Sequence, residues 1–461
     1  MPKKTPTHKE KKAPGARALA LEILAGAQRR GESVEDLLSA ALRRHPFLPR
    51  QERAFLLELV QGVKRWEIRL DYLLAGMASL PLKKMHPLVR QILRLAAFQL
   101  LYLDKVPARA ILSEAGKLAK QRGLSPAQVG FINAVLRRLA TGDLPPEPDP
   151  AVDPILALSV AHAHPEWLIR RWLARYGPKE AAARLAANNR IPPLTIRVNT
   201  LKTDPEKLIH RLAGEGAAAK PCLFSPVGLR LTALETAPLK MPSHGEGLWL
   251  FQDEGAQLVT FLSAGAPGQR IAEIGCGRGG KTTHLAEMLA GEGLLLALDY
   301  HRGRLQDARL NLERWGASRT QLLQADATRP LPVKEKLLDA VVVDAPCSGL
   351  GILRRHPEIK TRLKEEDLAT FPPRQLAMLQ QAAGLLKPGG RLLYVTCTTE
   401  PAENEEVIAA FLKTHPEFRL IADPGPLPPP ARNFLQPRGF FQTSPDTTNL
   451  DGFFAAVLIR E

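Results

Sequence analysis

The strongest constraint on this chain is a regular alternation of strand-like and helical segments that begins near Leu248. Apolar runs that read RIAEI, LLLALD, QLLQAD, LDAVVVD and RLLYVT are separated by helical segments, one of which ends at LLKPGG. Strands that alternate with helices in this way form a parallel sheet with helices on both faces. The pattern therefore predicts a doubly wound α/β domain whose ligand binds at the carboxyl ends of the strands.

The residues before this domain divide into three parts. Residues 1–140 are helical almost throughout, and five prolines within residues 141–154 predict a stiff linker that ends the helices. One apolar helix face is formed by Val89, Ile92, Leu93, Ala96, Leu100 and Leu103. Residues 155–248 mix helical and short strand-like runs, which predicts a small α+β middle module, and the α/β domain then occupies residues 249–461.

Positive charge is concentrated in the helical part. Residues 1–140 hold 26 Lys and Arg against 11 Asp and Glu, whereas the remaining residues hold 37 against 36. The first dozen residues add a lysine-rich tail to this excess. Charge that is segregated by domain attracts a polyanion, so we expect this domain to bind nucleic acid.

The chain shows no feature of a secreted or membrane protein. Its first residues are basic and lack the apolar core of a secretory signal, and no apolar run approaches the roughly 18 residues of a membrane span. The four cysteines are too scattered for a disulfide framework, and His162 with His164 has no further clustered ligands. We therefore predict a cytoplasmic protein without a membrane contact or a bound metal.

A glycine-rich loop follows the first strand of the α/β domain and reads GCGRGGKT over residues 275–282. It satisfies G-x-G-x-x-G through Gly275, Gly277 and Gly280, and it also satisfies G-x-x-x-x-G-K-T with Lys281. Backbone N–H groups at the start of a helix bind anionic or polar ligands. A dinucleotide, a nucleoside triphosphate and S-adenosylmethionine all fit this loop, so the loop alone leaves three alternatives.

Carboxylates stand at the ends of the following strands. Asp299 lies 19 residues after Gly280, where a carboxylate accepts hydrogen bonds from the ribose hydroxyls of an adenosine ligand. Asp326 ends the next strand-like run, where it either binds the adenine amine or completes a turn. Asp299 favours a nucleoside cofactor over a triphosphate, although Asp344 could also hold the magnesium of a P-loop enzyme.

Two cysteines stand at strand ends as well. Cys347 lies in DAPCSG after the fourth strand, and Cys397 ends the fifth strand in YVTCT. Because neighbouring strands share one crevice, we expect both thiols there, whereas Cys222 and Cys276 are expected to be small buried residues. A thiol beside a sulfonium cofactor suits methyl transfer to carbon 5 of a pyrimidine.

In that reaction a thiolate adds at carbon 6 and makes carbon 5 nucleophilic, and loss of the carbon 5 proton later releases the thiol. The thiol needs a cation or base nearby, for which Lys281 and the Arg354-Arg355-His356 run are candidates. Asp344 could hydrogen-bond the N3 edge of the base. This reasoning does not decide which cysteine attacks.

Nearly the whole chain resembles the RNA 5-methylcytosine methyltransferases of the Nop2/Sun family. Residues 1–140 resemble the helical NusB RNA-binding fold, which marks the branch that acts on small-subunit (16S) ribosomal RNA, and Arg197-Val198-Asn199 resembles the segment that leads into an RNA-recognition-like module. The motifs that carry the resemblance in the body are Gln252-Asp253 with Gln257, Gly279 to Thr282, Asp344 to Gly349, Arg354 to Pro357, Thr396-Cys397, Glu403 to Glu405, and Asp451 to Phe454.

The resemblance implies a Rossmann-like class I methyltransferase domain that uses S-adenosylmethionine. It places the cofactor against Gly275, Cys276, Gly277, Arg278, Gly279, Gly280, Lys281, Asp299, Asp326 and Asp344. It makes Cys397 the nucleophile, and it makes Cys347 the residue that assists proton removal and product release. The sequence departs from the family at Gly275 to Arg278, where Cys-Ala-Ala-Pro is usual, and at Glu273, where aspartate is usual.

We therefore expect a monomeric enzyme that methylates one cytosine of ribosomal RNA, either as naked RNA or in an assembling particle. Two alternatives are a non-catalytic RNA-binding assembly factor with a degenerate cofactor loop and an RNA-stimulated P-loop ATPase. Cofactor binding separates the first alternative from the enzyme, and phosphate release in the presence of RNA identifies the second.

Overall fold

A computed structural model describes residues 14–30, 33–423 and 425–461. The chain divides into two compact units, Met1–Leu185 with His356–Arg362, and Ala186–Arg355 with Leu363–Glu461. The lysine-rich tail of the first dozen residues lies outside the described part. Within the described part, no helix has both the length and the apolar character to cross a membrane.

The first unit is helical. Its helices are α1 (Ala16–Arg30), α2 (Val34–Arg44), α3 (Arg50–Met77), α4 (Pro87–Tyr102), α5 (Ala108–Gln121), α6 (Pro126–Ala140), α7 (Pro154–His162) and α8 (Glu166–Ala187), the last of which bends at Gly177. The predicted apolar face is the core-facing side of α4, because Val89, Ile92, Leu93 and Ala96 are buried. The long helix α3 packs against α1, α4, α6 and α7, so it forms the centre of this unit.

The predicted Pro-rich linker is held against α3. Tyr72 donates its hydroxyl proton to the carbonyl of Pro146 at 2.8 Å, and Arg69 forms an ion pair with Glu147. Asp153 then accepts a hydrogen bond from the backbone N–H of Leu156 and begins α7. Helix α6 ends at Ala140, before the first of these prolines, in a turn where Gly142 has a φ of +79°. The Pro-rich segment then carries the chain along α3 to the next helix.

The middle module of the second unit is a four-stranded antiparallel sheet. Its elements are β1 (Leu194–Val198), α9 (Pro205–Gly214), β2 (Ala217–Pro221), β3 (Gly228–Leu234), α10 (Pro242–Gly245) and β4 (Trp249–Phe251). The strand order is β2-β3-β1-β4. Leu208 and Leu212 of α9 pack on Ile196 and Val198 of β1, which is the small α+β arrangement expected from the sequence.

The remaining residues of the second unit form the α/β domain. Its elements are α11 (Glu254–Phe261), β5 (Arg270–Ile274), α12 (Gly280–Met288), β6 (Leu294–Asp299), α13 (Arg302–Trp315), β7 (Gln321–Gln324), β8 (Leu338–Asp344), α15 (Phe371–Leu385), β9 (Leu386–Thr396), α16 (Glu405–Thr414), β10 (Phe418–Leu420), β11 (Phe441–Gln442) and β12 (Phe454–Arg460). The short helix α14 (Ile359–Arg362) falls between β8 and α15 in the chain but belongs to the first unit. The sheet order is β10-β12-β9-β8-β5-β6-β7, with β11 on β12.

Strands β5 to β9 are parallel, and the chain reverses its direction across the sheet between β5 and β8. A ligand crevice forms at such a point, beyond the carboxyl ends of the strands. One sequence-based boundary was wrong: the helix that was expected to end at LLKPGG ends at Leu385. Leu386 already pairs with Leu338, so the Lys-Pro-Gly-Gly turn is part of strand β9.

Candidate active site

The glycine loop connects β5 to α12 and packs tightly on the neighbouring strands. The backbone N–H groups of Gly275 and Cys276 donate to the carbonyl of Leu298 at 2.8 and 2.9 Å. Gly275 has a φ of +84°, and a Cβ atom there would lie 2.3 Å from the carbonyl oxygen of Asp344. At Gly277 an added Cβ would meet nothing within 4 Å, so this part of the loop faces open space.

Asp299 joins the end of β6 to this loop. Its Oδ2 accepts from the N–H of Gly277 at 2.9 Å, and its Oδ1 accepts from the N–H of His301 at 2.7 Å. The residue is 6% exposed, whereas the next residue, Tyr300, is 64% exposed. The carboxylate therefore lies beside the open part of the loop, and an exposed tyrosine follows it in the chain. Sequence reasoning missed Tyr300, although its place directly after Asp299 was available as a signal.

Asp326 makes the turn contacts that were one of its two predicted roles. Its Oδ1 accepts from the N–H and the hydroxyl of Thr328 at 3.1 and 2.7 Å, and Arg329 lies 3.5 Å from Oδ2. The hydrogen bonds from Thr328 lower the pKa of Asp326. Its carboxylate is thus an ionised turn residue at the end of β7, one strand away from Asp299.

The two non-glycine residues between Gly275 and Gly280 have different surroundings. Cys276 is buried among Ala297 and Leu305, and this burial raises the pKa of its thiol. Arg278 is partly exposed and lies 3.4 Å from Asp307 of α13. Cys276 is therefore a packing residue, as expected from the sequence, while Arg278 lies at the rim of the loop.

Lys281 and Asp344 form an ion pair across the crevice. Lys281 Nζ lies 2.8 Å from Asp344 Oδ2, and the lysine side chain is 11% exposed. Burial alone would lower the pKa of Lys281, but the charge and hydrogen bond of Asp344 raise it overall. Lys281 is therefore a fixed cation at the point where the glycine loop meets the end of β8.

The two strand-end thiols are in contact. The Sγ atoms of Cys347 and Cys397 are 3.3 Å apart, and the N–H of Cys397 donates to Cys347 Sγ at 3.3 Å. The hydrogen bond to Cys397 and then burial raise the pKa of Cys347 well above its ordinary value. Cys347 is therefore a protonated thiol at neutral pH, placed against the sulfur of Cys397.

The loop after Cys347 is packed against the backbone of Cys397. Gly351 donates its N–H to the carbonyl of Cys397 at 3.0 Å and accepts a hydrogen bond from the N–H of Gly452 at 2.7 Å. A Cβ on Gly351 would lie 2.1 Å from the carbonyl oxygen of Gly452. Only glycine allows these three segments to approach so closely.

Arg354 and Arg355, which the sequence suggested as cations for the thiol, form ion pairs with two aspartates. Arg354 Nε lies 2.6 Å from Asp451 Oδ1, and Arg355 Nη2 lies 2.7 Å from Asp253 Oδ2. Arg355 also pairs with Asp451. Their guanidinium groups instead connect the Cys347 loop to α11 and to the segment before β12. His356 belongs to the first unit, where its ring lies 3.5 Å from Glu358.

Three family models match parts of this chain. The model of the 16S rRNA methyltransferase RsmB/F family matches residues 260–459, that of the NusB family matches residues 14–141, and that of an RsmF/B-like ferredoxin-like domain matches residues 164–235. The "Probable ribosomal RNA small subunit methyltransferase B" of Synechocystis sp. is 34% identical over 96% of this chain and 99% of its own.

The chain belongs to the RsmB/F family. Another RsmB/F relative, the ribosomal RNA small subunit methyltransferase B of Pseudomonas putida, is 35% identical over 89% of this chain and 91% of its own. A methyltransferase homologue from Pyrococcus horikoshii of known crystal structure is 26% identical, with a TM-score of 0.57, and covers 67% of this chain and 99% of its own.

Membership in the RsmB/F family makes this protein a methyltransferase. It also confirms the fold predicted from the sequence, with a NusB-like helical domain, a small α+β module and a Rossmann-like methyltransferase domain. The family resemblance drawn from the motifs is therefore correct.

Proposed function

We propose that this protein transfers a methyl group from S-adenosylmethionine to carbon 5 of a cytosine in small-subunit (16S) ribosomal RNA through a covalent cysteine–cytosine intermediate. The observation that carries this proposal is the contact of the Cys347 and Cys397 sulfurs at 3.3 Å beside the Lys281–Asp344 ion pair. A methyltransferase that acts on an oxygen, or on an amine of a base, has no need for a nucleophilic thiol at this point.

The residues around the glycine loop fit S-adenosylmethionine. The loop leaves open space at Gly277, and the Asp299 carboxylate lies beside it with capacity for further hydrogen bonds. We assign the cofactor to Gly275 to Lys281, Asp299 and Asp344, with Asp326 at its far edge and the exposed ring of Tyr300 next to Asp299. When bound there, S-adenosylmethionine supplies an electrophilic methyl group.

Cys397 is assigned as the nucleophile that adds to carbon 6 of the cytosine. The charge of Cys397 contributes to the raised pKa of Lys281, so this cation lies within electrostatic reach of the nucleophile. Asp344 anchors this lysine and lies at the end of β8, where it can hydrogen-bond the N3 edge of the base.

Cys347 is assigned to the second half of the reaction, in which the carbon 5 proton is removed and Cys397 is released. The hydrogen bond to Cys397 is the largest cause of its raised pKa. Once the Cys397 sulfur is bonded to carbon 6, this hydrogen bond weakens and the Cys347 thiol can lose its proton to solvent. Its thiolate then takes the carbon 5 proton, and the electron pair of that carbon–hydrogen bond reforms the 5,6 double bond as the carbon 6–sulfur bond breaks. As a thiol it can afterwards hydrogen-bond the departing Cys397 thiolate.

We assign RNA binding to the basic helical domain (1–140). In the proposed domain order, this domain is followed by the linker (141–154), the middle module (155–248) and the methyltransferase domain (249–461). The target cytosine must be unstacked before carbon 6 can reach Cys397. We propose that the protein acts as a monomer in the cytoplasm. Family membership favours this enzyme over the assembly-factor and ATPase alternatives.

The test is methyl transfer from labelled S-adenosylmethionine to unmodified small-subunit RNA, supplied both naked and as an assembling particle. The RNA is then digested to nucleosides, and the label is assigned by mass spectrometry. We expect the label in 5-methylcytosine with wild type and none with Cys397→Ala. Label in another nucleoside, or no label in either substrate, would overturn the proposal.

A further inference from the structure

A single buried carboxylate contacts both thiol-bearing loops. Glu403 lies in the 3-10 turn Pro401–Glu403 after β9 and has no exposed surface. Its Oε2 accepts from the N–H of Ser348 at 2.8 Å, while its Oε1 accepts from the hydroxyl of Ser348 and lies 3.3 Å from the hydroxyl oxygen of Thr398. Ser348 directly follows Cys347, and Thr398 directly follows Cys397.

Further contacts hold Glu403 in place. Gln375 of α15 donates from Nε2 to Glu403 Oε2 at 3.1 Å and to the carbonyl of Pro346 at 3.0 Å. The hydroxyl of Tyr394 donates to the backbone carbonyl of Glu403 at 2.6 Å. The carboxylate therefore has donors on both oxygens and is fixed from β9 and α15 as well as from the two thiol loops.

We propose that Glu403 is a positioning residue that holds the Cys347 and Cys397 loops at the separation that the covalent reaction requires. This inference rests on the proposed function, because it concerns the same pair of thiols. Ser348 and Thr398 also hydrogen-bond each other at 2.7 Å, so the residues that follow the two thiols meet at the Glu403 carboxylate. A shift of the carboxylate would move both sulfur-bearing segments.

The negative charge of Glu403 provides a second way to test the proposed positioning role. After the hydrogen bond to Cys397 and burial, the negative charges of Cys397 and Glu403 further raise the pKa of Cys347. Burial raises the pKa of Glu403 itself. Among the described residues, the titratable groups near the two thiols also include Tyr394, whose own pKa is raised by burial, and the Lys281–Asp344 ion pair. Removal of the Glu403 charge should therefore lower the pKa of Cys347.

The experiment compares wild type, Glu403→Gln and Glu406→Gln in the full chain. Glu406 is an exposed glutamate on α16, so its variant controls for the same loss of charge nearby. In Glu403→Gln an amide NH₂ faces donors, which displaces the two loops. We expect single-turnover methyl transfer to fall about 100-fold, the typical cost of misplacing a reacting group by 1 Å, while the affinities for S-adenosylmethionine and RNA stay unchanged.

The second measurement is the pH dependence of Cys347 alkylation, followed peptide by peptide with mass spectrometry. We expect its midpoint to fall in Glu403→Gln and to stay near the wild-type value in Glu403→Asp, which keeps the charge. A residue with only a structural role would produce no such difference between the two variants. If Glu403→Gln does not fold, Ser348→Ala tests the same contact and should slow methyl transfer by a smaller factor.

A Glu403→Gln enzyme with wild-type transfer rate and wild-type alkylation midpoint would overturn this inference. A loss of cofactor affinity that is as large as the loss of rate would also overturn it, because the defect would then lie in the fold of the domain. Failure of the proposed function has a different signature, since wild type itself would then give no 5-methylcytosine.

Discussion

The hydroxyl of Thr282 donates a hydrogen bond to Oε2 of Glu273, the residue before the last one of β5. The other carboxylate oxygen, Oε1, is buried and has no hydrogen-bond partner among the described residues. Burial raises the pKa of Glu273 to about 7. A carboxyl group in this setting is stable as the neutral acid and is destabilising when it ionises.

The first prediction concerns the pH dependence of stability. Because the pKa of Glu273 is about 4.5 in the unfolded chain and about 7 in the folded one, the folded state binds more protons between these values. The stabilising contribution of the Glu273 carboxyl group to the free energy of unfolding is fully present below pH 4.5. It is lost as the pH rises through 7, and the loss amounts to about 3 kcal/mol. Glu273→Gln cannot ionise, so we expect it to gain stability relative to wild type from pH 5 to pH 8.

Urea unfolding of the cofactor-free protein at several pH values measures this difference. Glu292→Gln removes an exposed carboxylate just before β6 and should follow the wild-type curve. Parallel curves for wild type and Glu273→Gln would show that Glu273 is already ionised in the folded protein at pH 5.

The second prediction compares two glycines of the cofactor loop. Both have positive φ, +84° at Gly275 and +56° at Gly277, but only at Gly275 would a Cβ collide with backbone, the carbonyl oxygen of Asp344. Gly277→Ala should cost about 1 kcal/mol of unfolding free energy for its left-handed conformation. Gly275→Ala should cost about 3 kcal/mol or more, since steric overlap adds to that strain. Equal costs in urea unfolding would contradict the close packing of the loop on β8.

Sequence patterns were sufficient for the fold because they report local preferences. The apolar spacing of α4, the strand-helix alternation after Leu248 and the glycine loop all depend on residues close together in the chain. The predicted end of α15 was too late in the sequence because Leu386 pairs with Leu338 in the sheet. Leu338 lies 48 positions away, so local preferences do not reveal this pairing. A strand partner of this kind overrides the helical tendency of the preceding turn.

Residues of the candidate site could be predicted only where the expected chemistry requires a particular residue type at the end of a strand. Cys347, Cys397 and Asp299 were predicted for that reason, and the structure places them at or just after the ends of β8, β9 and β6. Arg354 and Arg355 are adjacent in sequence, yet their partners Asp253 and Asp451 lie about 100 residues away, so their role as connectors could not be read from the run of charges. Other contacts between side chains of several elements could not be predicted from the sequence for the same reason, because the partners are far apart in the chain.

The third prediction concerns Arg197, a fully buried arginine of β1. Its Nη1 donates to the carbonyl of Gly280 at 2.7 Å, its Nη2 donates to Thr283 Oγ1 at 2.6 Å, and it forms an ion pair with Glu287. Lysine keeps the charge but cannot reach all three acceptors. We expect Arg197→Lys to displace the start of α12 and to weaken S-adenosylmethionine binding about tenfold, the effect of one lost hydrogen bond to a charged group.

Isothermal titration with S-adenosylmethionine checks this prediction, with Arg190→Lys as the control because Arg190 is exposed. A variant with lower thermal stability but unchanged cofactor affinity would assign Arg197 to the core of the middle module alone. Weakened binding by both lysine variants would point to a general effect of the substitution.

The last prediction separates the roles of the two thiols. If Cys397 attacks carbon 6 and Cys347 assists release, Cys347→Ala should accumulate an RNA adduct that survives denaturing electrophoresis, and Cys397→Ala should give neither adduct nor methylated RNA. Cys222→Ala is the matched control, because burial raises the pKa of that thiol to about 12 and it lies outside the strand-end pair. It should behave as wild type, with full methylation and little adduct. An adduct in Cys397→Ala and none in Cys347→Ala would exchange the two roles while leaving the covalent mechanism in place.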